Sequence, residues 1–329
     1  MSDTTDELVR QADREARETE RDEAWYEDWS LGLRGRQHQV AGASPGHRLF
    51  RRVLRLLPRF PGLRWYAARV APRRLRLERV AVPLPGLPAA LAGLRIGFLT
   101  DIHHDPGRPL TLLRRGVALI NAAAPDIIVL GGDYVVGRGR DFAPCAALLG
   151  RLRAPLGVYA VLGNHDHWAG ADAVAAQLTA AGVTVLRNAS RRITGPDDAP
   201  LWVLGLDTSV RERADPDATL AGVPEGEFRL LLAHEPDVAD TLGARGFRAD
   251  LQLSGHTHGG QVVLPLAGPL ILPILGRRYL RGLYRTPVGA LYVSRGLGGV
   301  PPFLRLNAPP EVTLLTLTPD AGEGGPTGA

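Results

Sequence analysis

Short apolar runs recur along the chain, and five of them stop at once on an Asp, an Asn or a His. They read IGFLT before Asp101, IIVLGG before Asp133, VYAVLG before Asn164, LLLA before His234 and LQLSG before His256. Runs of this length, apolar almost throughout and closed by Gly or polar residues, mark strands buried on both faces. A different pattern, RLERVAVPL over 76–84, alternates and predicts a further strand. Apolar residues at helical spacing predict helices over 109–122, 141–150, 170–181 and 237–244. Strands alternate with helices to about residue 194, and short β segments dominate after it. The order predicts an α/β fold of two facing mixed β-sheets flanked by helices, with no internal repeat.

The chain before residue 75 is built differently. HRLFRRVLRLL (47–57) groups Leu49, Phe50, Val53, Leu54, Leu56 and Leu57 on a broad face, with Arg51, Arg52 and Arg55 elsewhere. Pro58 and Pro61 then break the pattern, and LRWYAARV follows. The reading is an acidic segment over 1–45, disordered or solvated, and an Arg-rich helical extension over 46–74. A single domain then spans 75–318, and a disordered Gly/Pro tail 319–329. The Arg-rich stretch 47–70 has two uses open to it. It can lie in an anionic membrane interface, or dock on the domain with its arginines in water.

Charge sharpens this division. Residues 1–30 carry 11 acidic and 4 basic side chains, and residues 31–80 carry 13 Arg against Glu78 alone. The rest of the chain balances, so the formal net charge of +5 belongs to the N-terminal part. A neutral body disfavours nucleic acid as a partner. All 39 basic residues are Arg, a bias of GC-rich bacterial coding. The lone cysteine, Cys145, sits in an apolar stretch that predicts packing, and no disulfide can form within the chain. The acidic start lacks an apolar leader, and no apolar run reaches the roughly 18 residues of a membrane span. The expected location is cytoplasmic, free or peripheral on the inner face of the cytoplasmic membrane.

The residues that close the apolar runs carry the candidate chemistry. In open α/β sheets the carboxyl ends of parallel strands share an edge where ligands bind. That edge would gather Asp101, His103, Asp133, Asn164, His234, His256 and His258. Residues at i and i+2 of an extended segment share a face, so His256 and His258 can enter one pocket. Taken singly, such residues are ordinary caps, turns or surface histidines. In series they form a mixed nitrogen and oxygen donor set, which suits divalent Mn, Zn, Fe or Co.

Written as motifs, the blocks are Asp101-Ile102-His103, Gly132-Asp133, Gly163-Asn164-His165-Asp166, His234 and Gly255-His256-Thr257-His258. In these the chain resembles the calcineurin-like metallophosphoesterases over roughly 94–318. The stretches GHTHGGQVVLP (255–265), LYVSRGLG (291–298) and NAPPEVTLLTL (307–317) resemble the bacterial single-domain branch typified by the YkuE and YaeI phosphodiesterases. The resemblance implies two divalent metal ions. Asp101, His103 and His258 would hold the first, and Asn164, His234 and His256 the second, with Asp133 shared. It implies phosphoester hydrolysis, most of all of phosphodiesters, by a hydroxide held between the metals. An alternative within the same fold is a membrane-associated hydrolase of lipid phosphoesters or nucleotide-sugar pyrophosphates. A non-catalytic binding module is disfavoured because no ligand position is missing.

Around the ligands, the resemblance implies that His165 serves the leaving-group oxygen as general acid or hydrogen-bond donor. Asp166 either orients that imidazole or caps the following helix, and His167 and Trp168 either line the pocket or pack. Some positions depart from the family's pattern. Tyr134 directly follows Asp133, and Val136 stands where purple acid phosphatases place a ligand tyrosine, so a tyrosinate-bound ferric site is disfavoured. His104 and Asp105 follow the first motif, and His104 is read as facing solvent rather than substrate. LGLDTS (204–209) keeps only Asp207 of a paired-aspartate block. The apolar segment 262–285 is either a core hairpin or a lip for a lipid-like phosphoester, with Arg277, Arg278 or Arg281 on phosphate.

Overall fold

The computed structural model describes Gly62 and residues 71–320, apart from 107, 137–141, 211–212, 271 and 302. The expectations for the acidic segment, for the Arg-rich stretch 47–70 and for the tail after 320 fall outside those residues. No helix among the described residues is long and apolar enough to cross a membrane.

Two six-stranded sheets make the frame. In the first, β1 (Arg76–Leu84) pairs in parallel with β14 (Glu311–Pro319), which runs antiparallel to β2 (Arg95–Leu99). β3 (Ile127–Leu130), β4 (Val158–Ala160) and β5 (Thr184–Val185) continue in parallel. The second sheet begins at β6 (Ala189–Thr194), antiparallel to β7 (Pro200–Gly205). β8 (Phe228–Leu232), β9 (Leu251–Ser254) and β13 (Ala290–Val293) lie parallel to β7, and β12 (Gly282–Arg285) closes the edge antiparallel to β13. A small hairpin, β10 (Val263–Leu264) with β11 (Gly268–Pro269), stands apart from both.

The apolar runs dictate this layering. Along β3, Ile127 and Val129 face the second sheet, and Ile128 and Leu130 face the helices. The layer between the sheets packs Ile96, Phe98, Leu230, Leu253 and Leu315, all buried. Full burial of each such side chain contributes about 1.5–3 kcal/mol. Outside the first sheet lie α1 (Thr111–Ala122), α2 (Ala143–Leu149) and α3 (Asn164–Ala180). Cys145 is buried in that outer layer, a packing residue as its context predicted. Beneath the second sheet, α5 (Val238–Ala244) packs Val238, Ala239 and Leu242 on Leu231 and Leu291.

Two elements differ from the pattern reading. Helix α3 begins at Asn164, six residues before 170, because its first turn carries Asn, two His, Asp and Trp rather than an apolar stripe. Gly170, at φ 112, interrupts it where the apolar period begins. Past residue 194 the helix predicted over 237–244 is present as α5, and a second helix, α4 (Pro216–Leu220), extends the alternation where none was predicted. Helix α4 has only five residues, too few for periodicity to register, and rests on an Asp215 cap that accepts from Ala218 N–H at 3.0 Å.

Candidate metal centre

All the strands that bear candidate ligands end toward one place, but they come from both sheets. β2, β3 and β4 deliver Asp101, His103, Asp133 and Asn164 from the first, and β8 and β9 deliver His234, His256 and His258 from the second. The chain turns sharply at these ends. Asp101 (φ 53), His103 (φ 47), Asp133 (φ 56), His256 (φ 70) and His258 (φ 51) all adopt left-handed backbone. Such residues cost of order 1–3 kcal/mol each and persist where the surrounding structure holds them. Two glycines let the turns close on one another. A Cβ on Gly163 would lie 2.1 Å from Asp133 Oδ1, and one on Gly255 2.2 Å from Asp101 Oδ2.

Three groups of side chains bring their donor atoms within 4.8 Å of each other: Asp101, His103 and His258; His103, Asp133 and His165; and Asp133, His234 and His256. His103 Nε2 lies 2.9 Å from His258 Nε2, and Asp101 Oδ1 is 3.3 Å from the latter. Asp133 Oδ2 is 3.1 Å from His234 Nε2 and 3.5 Å from His103 Nε2, so one carboxylate oxygen reaches both halves. The remaining ring nitrogens fix the tautomers. His234 Nδ1 donates to the Gly131 carbonyl at 2.7 Å, and His256 Nε2 to the Ile274 carbonyl at 2.7 Å. Asn164 is buried with neither amide atom hydrogen-bonded among the described residues. A polar amide left so in a buried place is costly unless something binds it. Imidazole nitrogens, carboxylate oxygens and a free amide oxygen together fit a pair of borderline divalent cations.

Electrostatics bears the same stamp. Burial opposes ionisation of Asp101 and Asp133, but the hydrogen bonds and charges of His258 and His234 outweigh it and hold both carboxyls low. Burial, then the charges of neighbouring imidazoles, holds His103 well below its ordinary range, and burial holds His165 down at about 4. His234 goes the other way. Burial would lower it, but the Asp133 charge and hydrogen bond raise it well above 6.5. Both its nitrogens then donate, Nδ1 to Gly131 and Nε2 toward Asp133 Oδ2 and His256 Nδ1 at 3.2 Å. His234 so placed holds a proton more tightly than a free imidazole, and a metal bound at its Nε2 would have to displace that proton. Loading should therefore release about one proton per chain, and affinity should rise about tenfold per pH unit while that proton is held. Calorimetric titrations of Mn²⁺ in buffers of different ionisation enthalpy measure the count; zero release would contradict a protonated His234.

The flanking residues separate into those at the centre and those away from it. The His165 ring sits edge-on to His103 at 4.6 Å and against Trp168 at 4.5 Å, while the main-chain N–H of His165 donates to Asp133 Oδ1 at 2.9 Å. Asp166 accepts from the N–H groups of Asp133 (2.8 Å), Tyr134 (2.8 Å) and Gly163 (2.9 Å). Its carboxylate thus ties the Asp133 turn to the start of α3. Burial and the Asp133 charge push it up to about 8 against the bonds from Gly163 and Tyr134. His167 meets Asp207 at 2.5 Å, and Asp207 also takes Arg187 at 3.3 Å. The Tyr134 phenol donates to the Val161 carbonyl at 2.8 Å, and burial raises it well above its ordinary value, so it offers no tyrosinate. His104 is buried, its N–H on the Tyr134 carbonyl at 2.7 Å, because the extended bridge to Val135 draws it inside; it does not face solvent. Arg278 pairs with Asp240 at 3.0 Å and Arg281 donates to the Asn307 carbonyl at 3.0 Å, while the Arg277 N–H binds Asp237. None of these contacts involves a candidate ligand side chain. Sequence reading missed Arg305, whose buried guanidinium donates to the carbonyls of Gly298, Arg295, Ala308 and His258. An arginine in an apolar-looking tail carries no signal for this, since its acceptors come from three separate turns.

Residues 94–260, from the start of β2 to the turn after His258, match the family model described as calcineurin-like phosphoesterase. The chain belongs to that family. Relatives match beyond the core of the family. The chain is 35% identical to the Bacillus subtilis metallophosphoesterase YkuE over 77% of its own length and 88% of the relative's. It is 36% identical to the Escherichia coli phosphodiesterase YaeI over 69% and 83%. It is 29% identical to the Chlamydia trachomatis UDP-2,3-diacylglucosamine pyrophosphatase LpxG over 78% and 93%. This phosphoesterase is a hydrolase of a family that works with divalent metals, and its Asp and His groups are placed to hold them.

Proposed function

We propose that this phosphoesterase hydrolyses phosphodiesters with two divalent metal ions, and that residues 75–318 form the catalytic unit. The observation that carries the reading is the meeting of ligand side chains from both sheets around Asp133 Oδ2. Asp101, His103 and His258 would hold one metal and Asn164, His234 and His256 the other, with Asp133 shared. Bound there, Mn²⁺, Zn²⁺, Fe or Co would neutralise phosphoryl oxygens and supply water of lowered pKa. The chain's own residues do the rest. His165, packed against Trp168 beside His103, would donate a hydrogen bond from its ring to the leaving-group oxygen. Asp166 would act one step removed, fixing the main chain that carries Asp133.

The test is metal content of the purified protein together with hydrolysis of bis-p-nitrophenyl phosphate and p-nitrophenyl phosphate. About two metals per chain and preference for the diester support the reading. Preference for the monoester, or turnover without metal, would overturn it.

A lipid-like phosphoester is a second reading, and one feature favours it. The β10–β11 hairpin leaves the ligand turn directly, and its tip exposes Leu264 and Leu266, the latter fully. One relative is named as a pyrophosphatase of a diacylated nucleotide sugar. On this reading the protein works at the cytoplasmic face of an anionic membrane. Leu266→Glu should then leave diester hydrolysis in solution unchanged and reduce co-sedimentation with vesicles of mixed phosphatidylcholine and phosphatidylglycerol. Equal co-sedimentation of variant and wild type would remove the hairpin from that role.

A further inference from the structure

His258 differs from the other ligand histidines in what holds its far nitrogen. His234 and His256 lean on main-chain carbonyls, those of Gly131 and Ile274. His258 Nδ1 lies 2.7 Å from a side-chain oxygen, Gln261 Oε1. That amide has one orientation. Its Nε2 donates to the Val300 carbonyl at 2.8 Å, and its Oε1 accepts the Val300 N–H at 3.0 Å. Flipping it would set N–H against N–H and oxygen against oxygen. Oε1 is therefore the atom offered to the imidazole, so Nδ1 must carry the hydrogen. The Nε2 lone pair is left facing His103 Nε2 at 2.9 Å and Asp101 Oδ1 at 3.3 Å.

The main chain is arranged around this contact. Gln261 adopts φ 41 and ψ −52, a conformation rare for a residue with a side chain. Its N–H donates to the His258 carbonyl at 3.1 Å, and its own carbonyl accepts Leu306 N–H at 2.9 Å. Arg305 reaches the same His258 carbonyl from behind, at 3.3 Å. The ligand turn is thus sewn to residues 300–306, with the Gln261 amide at the crossing.

We propose that Gln261 is the positioning residue of the Asp101/His103/His258 half of the centre. Its amide oxygen holds His258 in the Nδ1–H tautomer with Nε2 aimed at Asp101 and His103. Outer partners of this kind set ligand orientation, and their loss costs about 10–100-fold in metal affinity. The inference rests on the ligand assignment proposed above. It adds that Gln261 serves one half-site and leaves the Asn164/His234/His256 half alone.

The test uses the full chain, Mn²⁺ titrated by calorimetry, and metal counted after dialysis at fixed free Mn²⁺. Gln261→Leu removes the acceptor and should weaken one of two sites about 10–100-fold, with the other unchanged. Gln261→Glu keeps an oxygen for Nδ1–H but sets its second oxygen against the Val300 carbonyl, and should restore the weakened site in part. Two sites of wild-type affinity in Gln261→Leu would overturn the proposal. So would weakening of both sites, or weakening of one that Gln261→Glu does not restore even in part. Thermal unfolding of each metal-free variant shows whether the turn still folds. His258→Ala separates the two layers of argument. If it keeps both metals, the ligand assignment has failed; if it loses one while Gln261→Leu loses none, the positioning role has.

Discussion

Asp133→Asn should end turnover and strip metal while leaving the fold in place. The carboxylate is used at both oxygens. Oδ2 faces His234 Nε2 at 3.1 Å and His103 Nε2 at 3.5 Å, and Oδ1 accepts the His165 N–H at 2.9 Å. An amide must turn its NH2 toward the imidazole nitrogens or toward that N–H, and it loses the charge in either case. Metal-ion stabilisation of the transition state is worth several kcal/mol. At 1.36 kcal/mol per decade, the expected loss is about three orders of magnitude or more. The turn itself should survive, because the Asp133 N–H still has Asp166 Oδ2 at 2.8 Å. Near-ultraviolet circular dichroism, metal content and bis-p-nitrophenyl phosphate hydrolysis measure the three parts. A wild-type rate would show that Asp133 is not shared between metals.

His165→Ala should show a dependence on the leaving group instead. With an alkyl diester, whose departing oxygen needs help, the rate should fall by about 10²–10⁴. With p-nitrophenolate, a good leaving group, the fall should be small, and both metals should stay. The geometry makes the alternative concrete, since the His165 ring nitrogen lies within ligand reach of His103 and Asp133. Loss of one metal in this variant would make His165 a ligand. An equal loss for both esters, with metals intact, would take it away from the leaving group.

The meeting of the candidate ligands was legible because, within each sheet, parallel strands present their carboxyl ends on a common edge. Asp101, Asp133 and His234 each follow a run too apolar to be anything but buried strand, so their meeting could be read without coordinates. Two kinds of feature were not legible. One is local and aperiodic. Asn164 opens α3 within a turn of polar residues, and His104 is drawn inside by its bridge to Val135. The other depends on partners distant in the chain. Asp166 binds the Asp133 turn 33 residues away, and Gln261 finds Val300 39 residues away. Spacing along a sequence says nothing about such pairs. Segment 262–285 was not legible as one unit either. β12 joins the second sheet, but the β10–β11 tip stays in water.

The left-handed turns at the strand ends have a bearing on how such a centre changes over generations. Asn, Asp and His are several-fold enriched among non-glycine residues with positive φ. At Asp101, His103, Asp133, His256 and His258 the backbone therefore favours the same side chains that bind metals. The main chain sets where each side chain leaves the turn, and donor type comes from whichever of these residues occupies the position. A single base change at such a turn can exchange nitrogen for oxygen while the backbone keeps its left-handed turn. Lineages sharing this scaffold can thus shift their metal preference by small steps, each of which keeps a folded protein.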